Sequence, residues 1–225
     1  MKLLNNIENL AYGNLNHTNL NYLYAESFFN DYTDIFENNK YPTLKEAEEE
    51  ISYLIKIQKE YIRKPNWNKY EKFLKACDDD IKNVIYTRLN KIGLNFTREN
   101  SDKLEEIQDL IGAFVMRLKV HYNRARPFQM AHYTGQRLHP INTISGQSPA
   151  YPSGHALQSR FLLKIVAFNF PQYKDEIKKL AEEIAFTRIV MNVHFPSDNK
   201  FGFEIGDKLA TYPKIRDLYF SRKIF

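Results

Sequence analysis

Three short clusters in the second half of the chain combine positive charge, a signal for the start of a helix, and a histidine followed by an aspartate. They are Lys119 with Arg126-Pro127, the run Pro152-Ser153-Gly154-His155, and Thr187-Arg188 with His194 and Asp198. Between the first and second clusters lie 24 residues, and between the second and third lie 31. Cations stabilise a negatively charged group, and an imidazole oriented by a carboxylate can act as a nucleophile. The clusters therefore indicate chemistry on an anion.

The spacing of two of these cations predicts that they point toward the protein core. Lys119 lies at the edge of the apolar stripe of one predicted helix, and Arg188 follows Ile184 by one turn on the stripe of another. Because an unpaired cation in the core costs several kcal/mol, we expect an anion to meet them. The start of a helix at Ser153–His155 would add free N–H groups, which also favour an anion. Together with Arg126, these groups predict a site for a tetrahedral oxyanion.

His194 and Asp198 would supply the reactive group of this site. A carboxylate on one imidazole nitrogen fixes the tautomer and leaves the other nitrogen free to attack. His155 is then a candidate general acid for the leaving group. These roles imply phosphoryl transfer through a phosphohistidine, with no metal or other cofactor because the cations take its place. We expect Asp198 to raise the pKa of His194, the cations to lower the pKa of His155, and a bell-shaped pH profile with a mildly acidic to neutral optimum.

The same clusters resemble the signature of the type 2 phosphatidic acid phosphatase and vanadium haloperoxidase superfamily, over roughly residues 111–206. One position departs from it: Thr187 stands where the signature has serine, and it keeps the hydroxyl. The resemblance implies an all-α, single-domain helical bundle of the acid phosphatase/vanadium haloperoxidase type. It implies His194 as the nucleophile, Asp198 as its orienting partner and His155 as the general acid. The phosphate-binding residues that it implies are Lys119, Arg126, Ser153, Gly154 and Arg188.

Within that superfamily, the chain looks most like the soluble bacterial class A acid phosphatases. Arg126-Pro127-Phe128, the run Tyr151–His155 and the helix after Phe170-Pro171-Gln172 carry this likeness. The resemblance thus implies a soluble phosphoric ester hydrolase with a small phosphorylated substrate, and vanadate should bind it as a phosphate analogue. The chain departs from class A in showing no secretion signal and no possible disulfide.

Two alternatives come from other functional classes. In a vanadate-dependent haloperoxidase, His194 would ligate vanadate in the same pocket, but those enzymes are usually much longer than 225 residues. A catalytically inactive phosphate-binding module would need neither an acid nor a nucleophile, and His155, His194 and Asp198 are all present.

Apolar periodicity and capping signals predict helices on both sides of these clusters. Ahead of them we expect a helix around Tyr22–Glu37, one opened by a Thr43–Glu46 capping box and reaching Ile62, and one from Lys69 to Lys91. Ser101 is predicted to cap a helix that reaches His121 or beyond, followed by a long segment without helical period from Phe128 to Tyr151. After Pro152 an almost wholly apolar helix should form the centre of the fold. The last two predicted helices run from Tyr173 to Asn192 and from Ser197 to Ala210.

Composition narrows the class of protein and its partners. The chain has 43% hydrophobic and 26% charged residues, and its longest apolar runs are too short to span a membrane. The single cysteine, Cys77, excludes an internal disulfide and a four-cysteine zinc site. With no signal peptide visible, we expect a cytoplasmic location. A net charge of +5 favours anionic partners only mildly, so we expect no nucleic acid. A homo-oligomer is possible.

Other polar residues carry weaker functional predictions. His132, Arg137 and His139 are candidates for substrate contact from the long segment, and solvated loop positions are as plausible. His121 and Arg124 flank the first cluster and are further candidates for the pocket. Asp78-Asp79-Asp80 is interpreted as a solvated helix face, because no histidine stands at ligand spacing. We predict one domain over residues 1–225, with an N-terminal helical part of unrecognised pattern at 1–100 and a catalytic helical core at 101–210.

Overall fold

The structure, a computed structural model, describes residues 33–35 and 42–225, and every regular element within them is helical. The all-α class predicted from the sequence is therefore confirmed for this part of the chain. Thr33–Ile35 and Pro171–Tyr173 form single 3-10 turns. The α-helices are α1 (Leu44–Ile62), α2 (Trp67–Asp79), α3 (Ile81–Lys91), α4 (Arg98–Tyr122), α5 (Pro127–Tyr133), α6 (Gly154–Asn169), α7 (Lys174–Val190), α8 (Pro196–Leu209) and α9 (Pro213–Tyr219).

The predicted start of α1 is confirmed, whereas the prediction for the helix that follows it is wrong. The Thr43–Glu46 capping box is confirmed, since the Glu46 amide donates to Thr43 Oγ1 and the Thr43 amide donates to the Glu46 carboxylate. The prediction of one helix over Lys69–Lys91 is wrong. Asp80 breaks it with extended backbone at φ −155°, and its carboxylate caps α3 by accepting from the Asn83 amide at 2.9 Å. The predicted helix at Tyr22–Glu37 lies outside the described residues, except for the 3-10 turn Thr33–Ile35.

Two boundaries around α4 and α5 also differ from the prediction. Thr97, not Ser101, caps α4, because its hydroxyl accepts from the Asn100 amide at 3.1 Å and Ser101 lies buried inside the helix. The segment after Arg126 is not wholly irregular, because α5 begins at Pro127, a residue suited to the first helical position. The short helix α9 after Tyr212 was not predicted.

Helix α6 lies at the centre of the described fold, as its composition predicted. Leu157, Phe161 and Ile165 have no exposed surface, and α6 packs against α4, α7 and α8. Phe168, near the C-terminal end of α6, is 40% exposed and is the exception to the burial of the large apolar side chains of this helix. The start of α6 contacts the last turn of α4 at Lys119 and the first turn of α8 at Asp198, and α7 also packs against α6. The three sequence clusters lie at the ends of these helices.

A glycine on α8 lets that helix approach the start of α6 very closely. A Cβ on Gly202 would lie 2.8 Å from the Ser153 carbonyl oxygen and 3.0 Å from Cβ of Ala156. The Ser153 amide also donates to the Asp198 carbonyl oxygen at 3.0 Å, which ties the first turns of the two helices together. The cluster at Ser153 and the cluster at Asp198 are thus joined directly by the backbone.

We expect Gly202→Ala to destabilise the protein by about 1–3 kcal/mol, because the added methyl group meets backbone atoms that cannot move independently. Gly112→Ala is the matched control: apart from the backbone of α4 itself, no atom of the described residues lies within 4 Å of its Cβ position. That change should instead stabilise the helix by about 0.5–1 kcal/mol. Urea unfolding of both variants measures the difference, and equal midpoints would contradict the close packing.

Candidate active site

His194 lies between α7 and α8 with its imidazole held by Asp198. The side chain is 2% exposed, and its Nδ1 lies 3.1 Å from Oδ2 of Asp198. The same Oδ2 accepts from the Phe195 amide at 2.8 Å, so the carboxylate also caps the first turn of α8. A carboxylate on Nδ1 favours the tautomer with the proton on that nitrogen. The lone pair of His194 is therefore on Nε2.

Arg126 lies against that second nitrogen. Its guanidinium is fully buried, and Nη1 lies 2.9 Å from Nε2 of His194 and 2.7 Å from the Val193 carbonyl oxygen. Arg126 is also the residue before α5, where Gln129 accepts from its backbone amide at 2.8 Å. The start of a helix thus fixes the main chain of Arg126, and the Val193 carbonyl fixes its side chain beside the imidazole.

Arg188, in the last turn of α7, is the second fully buried guanidinium. Nη2 lies 3.0 Å from Oδ1 of Asp78 and donates to the Ser145 hydroxyl at 2.9 Å. Its Nε is buried and makes no hydrogen bond with any described residue. Arg188 therefore keeps one donor for an acceptor that the described protein groups do not supply. Thr187 beside it has its hydroxyl bonded to the Ile184 carbonyl within the helix.

Lys119 completes the set of cations, and one loop meets all three. Lys119 is 5% exposed and its Nζ donates to the Pro149 carbonyl at 2.6 Å. Arg126 Nε donates to the Ser148 carbonyl at 2.7 Å, and Arg188 donates to the Ser145 hydroxyl. Oxygen atoms from residues 145–149 thus accept hydrogen bonds from all three cations.

Ser153, Gly154 and His155 form the first turn of α6, as predicted. Ser153 is its N-cap and is fully buried. A Cβ on Gly154 would lie 3.2 Å from Cγ1 of Val115 and 3.7 Å from Cε of Lys119, so glycine leaves the lysine side chain its place. His155 Nε2 lies 2.9 Å from the Cys77 carbonyl, which can only accept, so that nitrogen carries a proton. Nδ1 is then the nitrogen of His155 that can exchange a proton with a ligand.

A cavity of about 410 Å³ opens over these groups. Residues of α4, of the loop before α6 and of α6 itself line it, together with His194. Arg126, Arg188 and Ser153 do not line it: the two arginines lie behind Ser145, Ser148 and His194, which they contact. The lining residues are Gly112, Val115, Met116, Lys119, Ile144, Ser145, Gln147, Ser148, Gly154, His155, Gln158 and His194.

The cations and the burial set the protonation of the site. Burial, reinforced by Arg126, Lys119 and Arg188, holds the pKa of His194 well below its usual value. The expectation that Asp198 raises this pKa is therefore wrong, because burial and three nearby positive charges outweigh one carboxylate. For His155 the expectation holds: partial burial and Arg188 lower its pKa to about 3. At neutral pH both imidazoles are neutral in the absence of an anion.

Asp198 and Lys119 are shifted toward their neutral forms. Burial raises the pKa of Asp198 to about 6, with Arg124 opposing the change. Burial, followed by the charge of Arg126, holds the pKa of Lys119 well below its usual value. The site therefore carries an excess of cationic groups whose charge is costly until an anion binds.

The sequence analysis missed two carboxylates that pair with the buried arginines. Asp78 was interpreted as part of a solvated face, which is wrong: its side chain is 4% exposed and also accepts from the Ile144 amide at 2.7 Å. Asp79 and Asp80 are exposed, as expected. Glu50 on α1 pairs with Arg124, a residue that the sequence placed only as a flanking candidate. The sequence signal that could have found Arg124 is its position two residues before Arg126.

The remaining candidates lie away from the cavity. His121, His132, Arg137 and His139 are exposed and none of them lines it. Within residues 33–35 and 42–225, no three His, Cys, Asp or Glu side chains come together as metal ligands would. Among the helices of that same part of the chain, none combines the length and the apolar character that crossing a bilayer requires.

A comparison with known protein families matches the part of the chain that carries His155, His194 and the three cations. Residues 109–212 match the family model described as the PAP2 superfamily. No curated protein matches the chain. Among solved structures, it is similar to a crystal structure described as the first transmembrane PAP2 type phosphatidylglycerolphosphate phosphatase from Bacillus subtilis. That similarity has 20% sequence identity and a TM-score of 0.48, and it covers 76% of this chain and 87% of the other.

Proposed function

We propose that the chain, whose residues 109–212 match the PAP2 superfamily, is a metal-independent phosphatase that hydrolyses phosphoesters through a phosphohistidine at His194. One observation carries the proposal: His194 Nδ1 faces Asp198 at 3.1 Å while Nε2 faces a buried guanidinium at 2.9 Å. A neutral imidazole held in this way directs its lone pair to the place where positive charge would hold a phosphoryl group. His194 also lines the cavity, so that nitrogen is within reach of a substrate.

The proposed phosphate-binding groups are Lys119, Arg126, Arg188 and the first turn of α6. Arg188 Nε lacks a hydrogen-bond partner among the described residues. The backbone amides of Gly154 and His155, at the start of α6, have no acceptor within the helix. A phosphoryl oxygen would supply acceptors to both. It would also compete with the Pro149 carbonyl for Lys119, which lines the cavity. Charge-assisted hydrogen bonds are the stronger ones, so an anion is favoured over the neutral loop oxygens.

In the proposed reaction, Nε2 of His194 attacks phosphorus in line with the ester oxygen. The N–P bond forms, the P–O ester bond breaks, and Nδ1 of His155 gives its proton to the leaving oxygen. A water molecule then attacks phosphorus and gives its proton to Nδ1 of His155, the N–P bond to His194 breaks, and inorganic phosphate is released. Asp198 stabilises the positive charge on the His194 ring through Nδ1–H in both steps. The cations stabilise the charge on the phosphoryl oxygens.

Substrate binding would also prepare His155 as an acid. Its pKa of about 3 reflects partial burial first and Arg188 second, in a site without an anion. A phosphoryl group carries up to two negative charges and offsets the repulsion from the cations, so it raises that pKa. Protonation of His155 is therefore coupled to substrate binding.

We expect phosphate release to be unaffected by chelators. Lys119, Arg126 and Arg188 provide the positive charge that metal ions provide in other phosphatases. The purified protein should be assayed on aryl phosphates, nucleotides, diphosphates and dispersed lipid phosphates, with and without exhaustive chelation. A zinc-dependent phosphatase treated identically verifies the chelation. Loss of activity that zinc or magnesium restores would contradict a metal-independent mechanism, and no release from any phosphoester would contradict the function.

A further inference from the structure

The Asp198 carboxylate has a second partner that the proposed reaction does not use. Oδ2 is occupied by His194 and the Phe195 amide, whereas Oδ1 accepts a short hydrogen bond from Nη1 of Arg124. Arg124 is 3% exposed, and its guanidinium also lies 4.0 Å from the centre of the Phe195 ring. Both oxygens of Asp198 are therefore held, one on the side of the reacting imidazole and one on the far side.

Glu50, from α1, lies behind Arg124. Its Oε2 is 3.4 Å from Nη2 of Arg124, and Arg124 Nη1 also donates to the Ser197 hydroxyl at 2.8 Å. The carboxylate of Glu50 further accepts from the Ser197 amide at 2.6 Å and from its hydroxyl at 2.8 Å. The Ser197 amide is in the first turn of α8, where N–H groups lack acceptors within the helix. Glu50 thus caps the helix that carries Asp198.

We propose that Glu50 and Arg124 are positioning residues for the His194–Asp198 pair. Arg124 fixes Oδ1 of Asp198 and keeps the carboxylate ionised, and Glu50 fixes Arg124 and the first turn of α8. Neither residue lines the cavity, so they act through Asp198 rather than on the substrate. Glu50 lies outside residues 109–212, the segment that matches the superfamily. The effect on turnover rests on the proposed function, whereas the effect on the His194 tautomer does not.

The two residues should act on Asp198 in opposite directions. The charge of Arg124 lowers the pKa of Asp198, and the charge of Glu50 raises it, around a value of about 6 that burial sets. As the pH falls through this pKa, Asp198 takes up a proton and ceases to be an acceptor for Nδ1–H. Around Asp198 the charged or titratable groups are His194, Lys119, Arg124, Arg126, Glu50 and Tyr151. On the outer side of Glu50 they are Glu46, Glu49, Lys200 and Glu204.

The experiment compares Glu50→Gln and Arg124→Gln with the wild-type protein. In the pH profile of kcat, Glu50→Gln should move the acid limb to lower pH and Arg124→Gln should move it to higher pH, each by about half a unit or more. At the optimum, kcat should fall about tenfold and about a hundredfold respectively, with KM changed less than about twofold. A purely structural role would lower stability without moving the acid limb in opposite directions.

A second measurement needs no turnover. Two-bond proton–nitrogen couplings report the tautomer of His194, whose signal is identified by its loss in His194→Gln. The wild-type protein should hold the proton on Nδ1 and lose this tautomer on acidification. Glu50→Gln should lose it at lower pH and Arg124→Gln at higher pH. If Arg124→Gln does not fold, the tautomer titration of Glu50→Gln alone tests the proposal.

Arg160→Gln is the matched control. Arg160 forms a two-bond ion pair with Asp207, at 2.9 Å for each bond, and this pair also joins α8 to a neighbouring helix. Its loss should leave the acid limb and the His194 tautomer unchanged. Wild-type kcat, acid limb and tautomer titration in Glu50→Gln would overturn the positioning role. The expected tautomer shifts in a protein that hydrolyses no phosphoester would support the positioning role and contradict the proposed function instead.

Discussion

Replacing His194 by alanine is expected to reduce kcat at least about a thousandfold while the protein stays folded. The reason is that the variant loses the proposed nucleophile, the imidazole that is held between Asp198 at Nδ1 and Arg126 at Nε2. Asp198 keeps its bonds to the Phe195 amide and Arg124, so its buried carboxylate is not left unpaired. Steady-state kinetics on an aryl phosphate, with circular dichroism of both proteins, measures the effect.

The covalent step has its own test. Labelled substrate mixed with the wild-type protein and quenched quickly into alkaline detergent should leave phosphate on the chain, and His194→Ala should leave none. His132→Ala is the control, because His132 is exposed on α5 and does not line the cavity. If His194→Ala keeps more than about a tenth of the activity, covalent catalysis through His194 is wrong.

Loss of the charge at position 188 should weaken vanadate binding by about a hundredfold or more. Vanadate adopts the trigonal bipyramid of in-line phosphoryl transfer, so a site complementary to that state binds it tightly. Arg188 is fully buried and has a free Nε donor among the described residues, so its bonds to an oxyanion would be well desolvated. Competitive inhibition constants for the wild type and Arg188→Gln measure the loss.

Two further variants make that result specific to Arg188. Arg137→Gln removes the same charge from an exposed position in the segment before α6, and its inhibition constant should change less than about twofold. Arg188→Lys keeps the charge beside Asp78 and should recover part of the affinity. Equal inhibition of Arg188→Gln and the wild type would contradict a role for Arg188 in binding the oxyanion.

The parts of the fold that follow from local sequence were predicted well. The capping box at Thr43, the apolar helix after Pro152 and the three clusters depend on neighbours within a few residues, and a pattern can express such dependence. The structure brings Lys119, Arg126, Arg188, His194 and the start of α6 to one region, because the clusters occupy the ends of helices that surround α6.

The parts that failed depend on distant partners. Asp78 resembles its neighbours Asp79 and Asp80 in sequence, and contacts with residues distant in sequence, Ile144, Ser145 and Arg188, hold it inward. The break at Asp80 is local by contrast, because the Asp80 carboxylate caps α3 by accepting from the Asn83 amide. The direction in which the pKa of His194 shifts could not be predicted from sequence either, because burial and the charges of three residues determine it together.

The carboxylate partners of Arg124 and Arg188 bear on whether residues 109–212 could fold apart from the rest of the chain. Arg124 and Arg188 belong to the segment 109–212, but their carboxylate partners Glu50 and Asp78 come from α1 and α2. A buried cation that loses its partner is strongly destabilising. The segment that matches the superfamily model is therefore not a portable unit in this chain: excised or grafted onto another scaffold, it would leave Arg188 without its carboxylate and Arg124 with Asp198 alone. A transplanted version must bring Asp78 with it or replace Arg188.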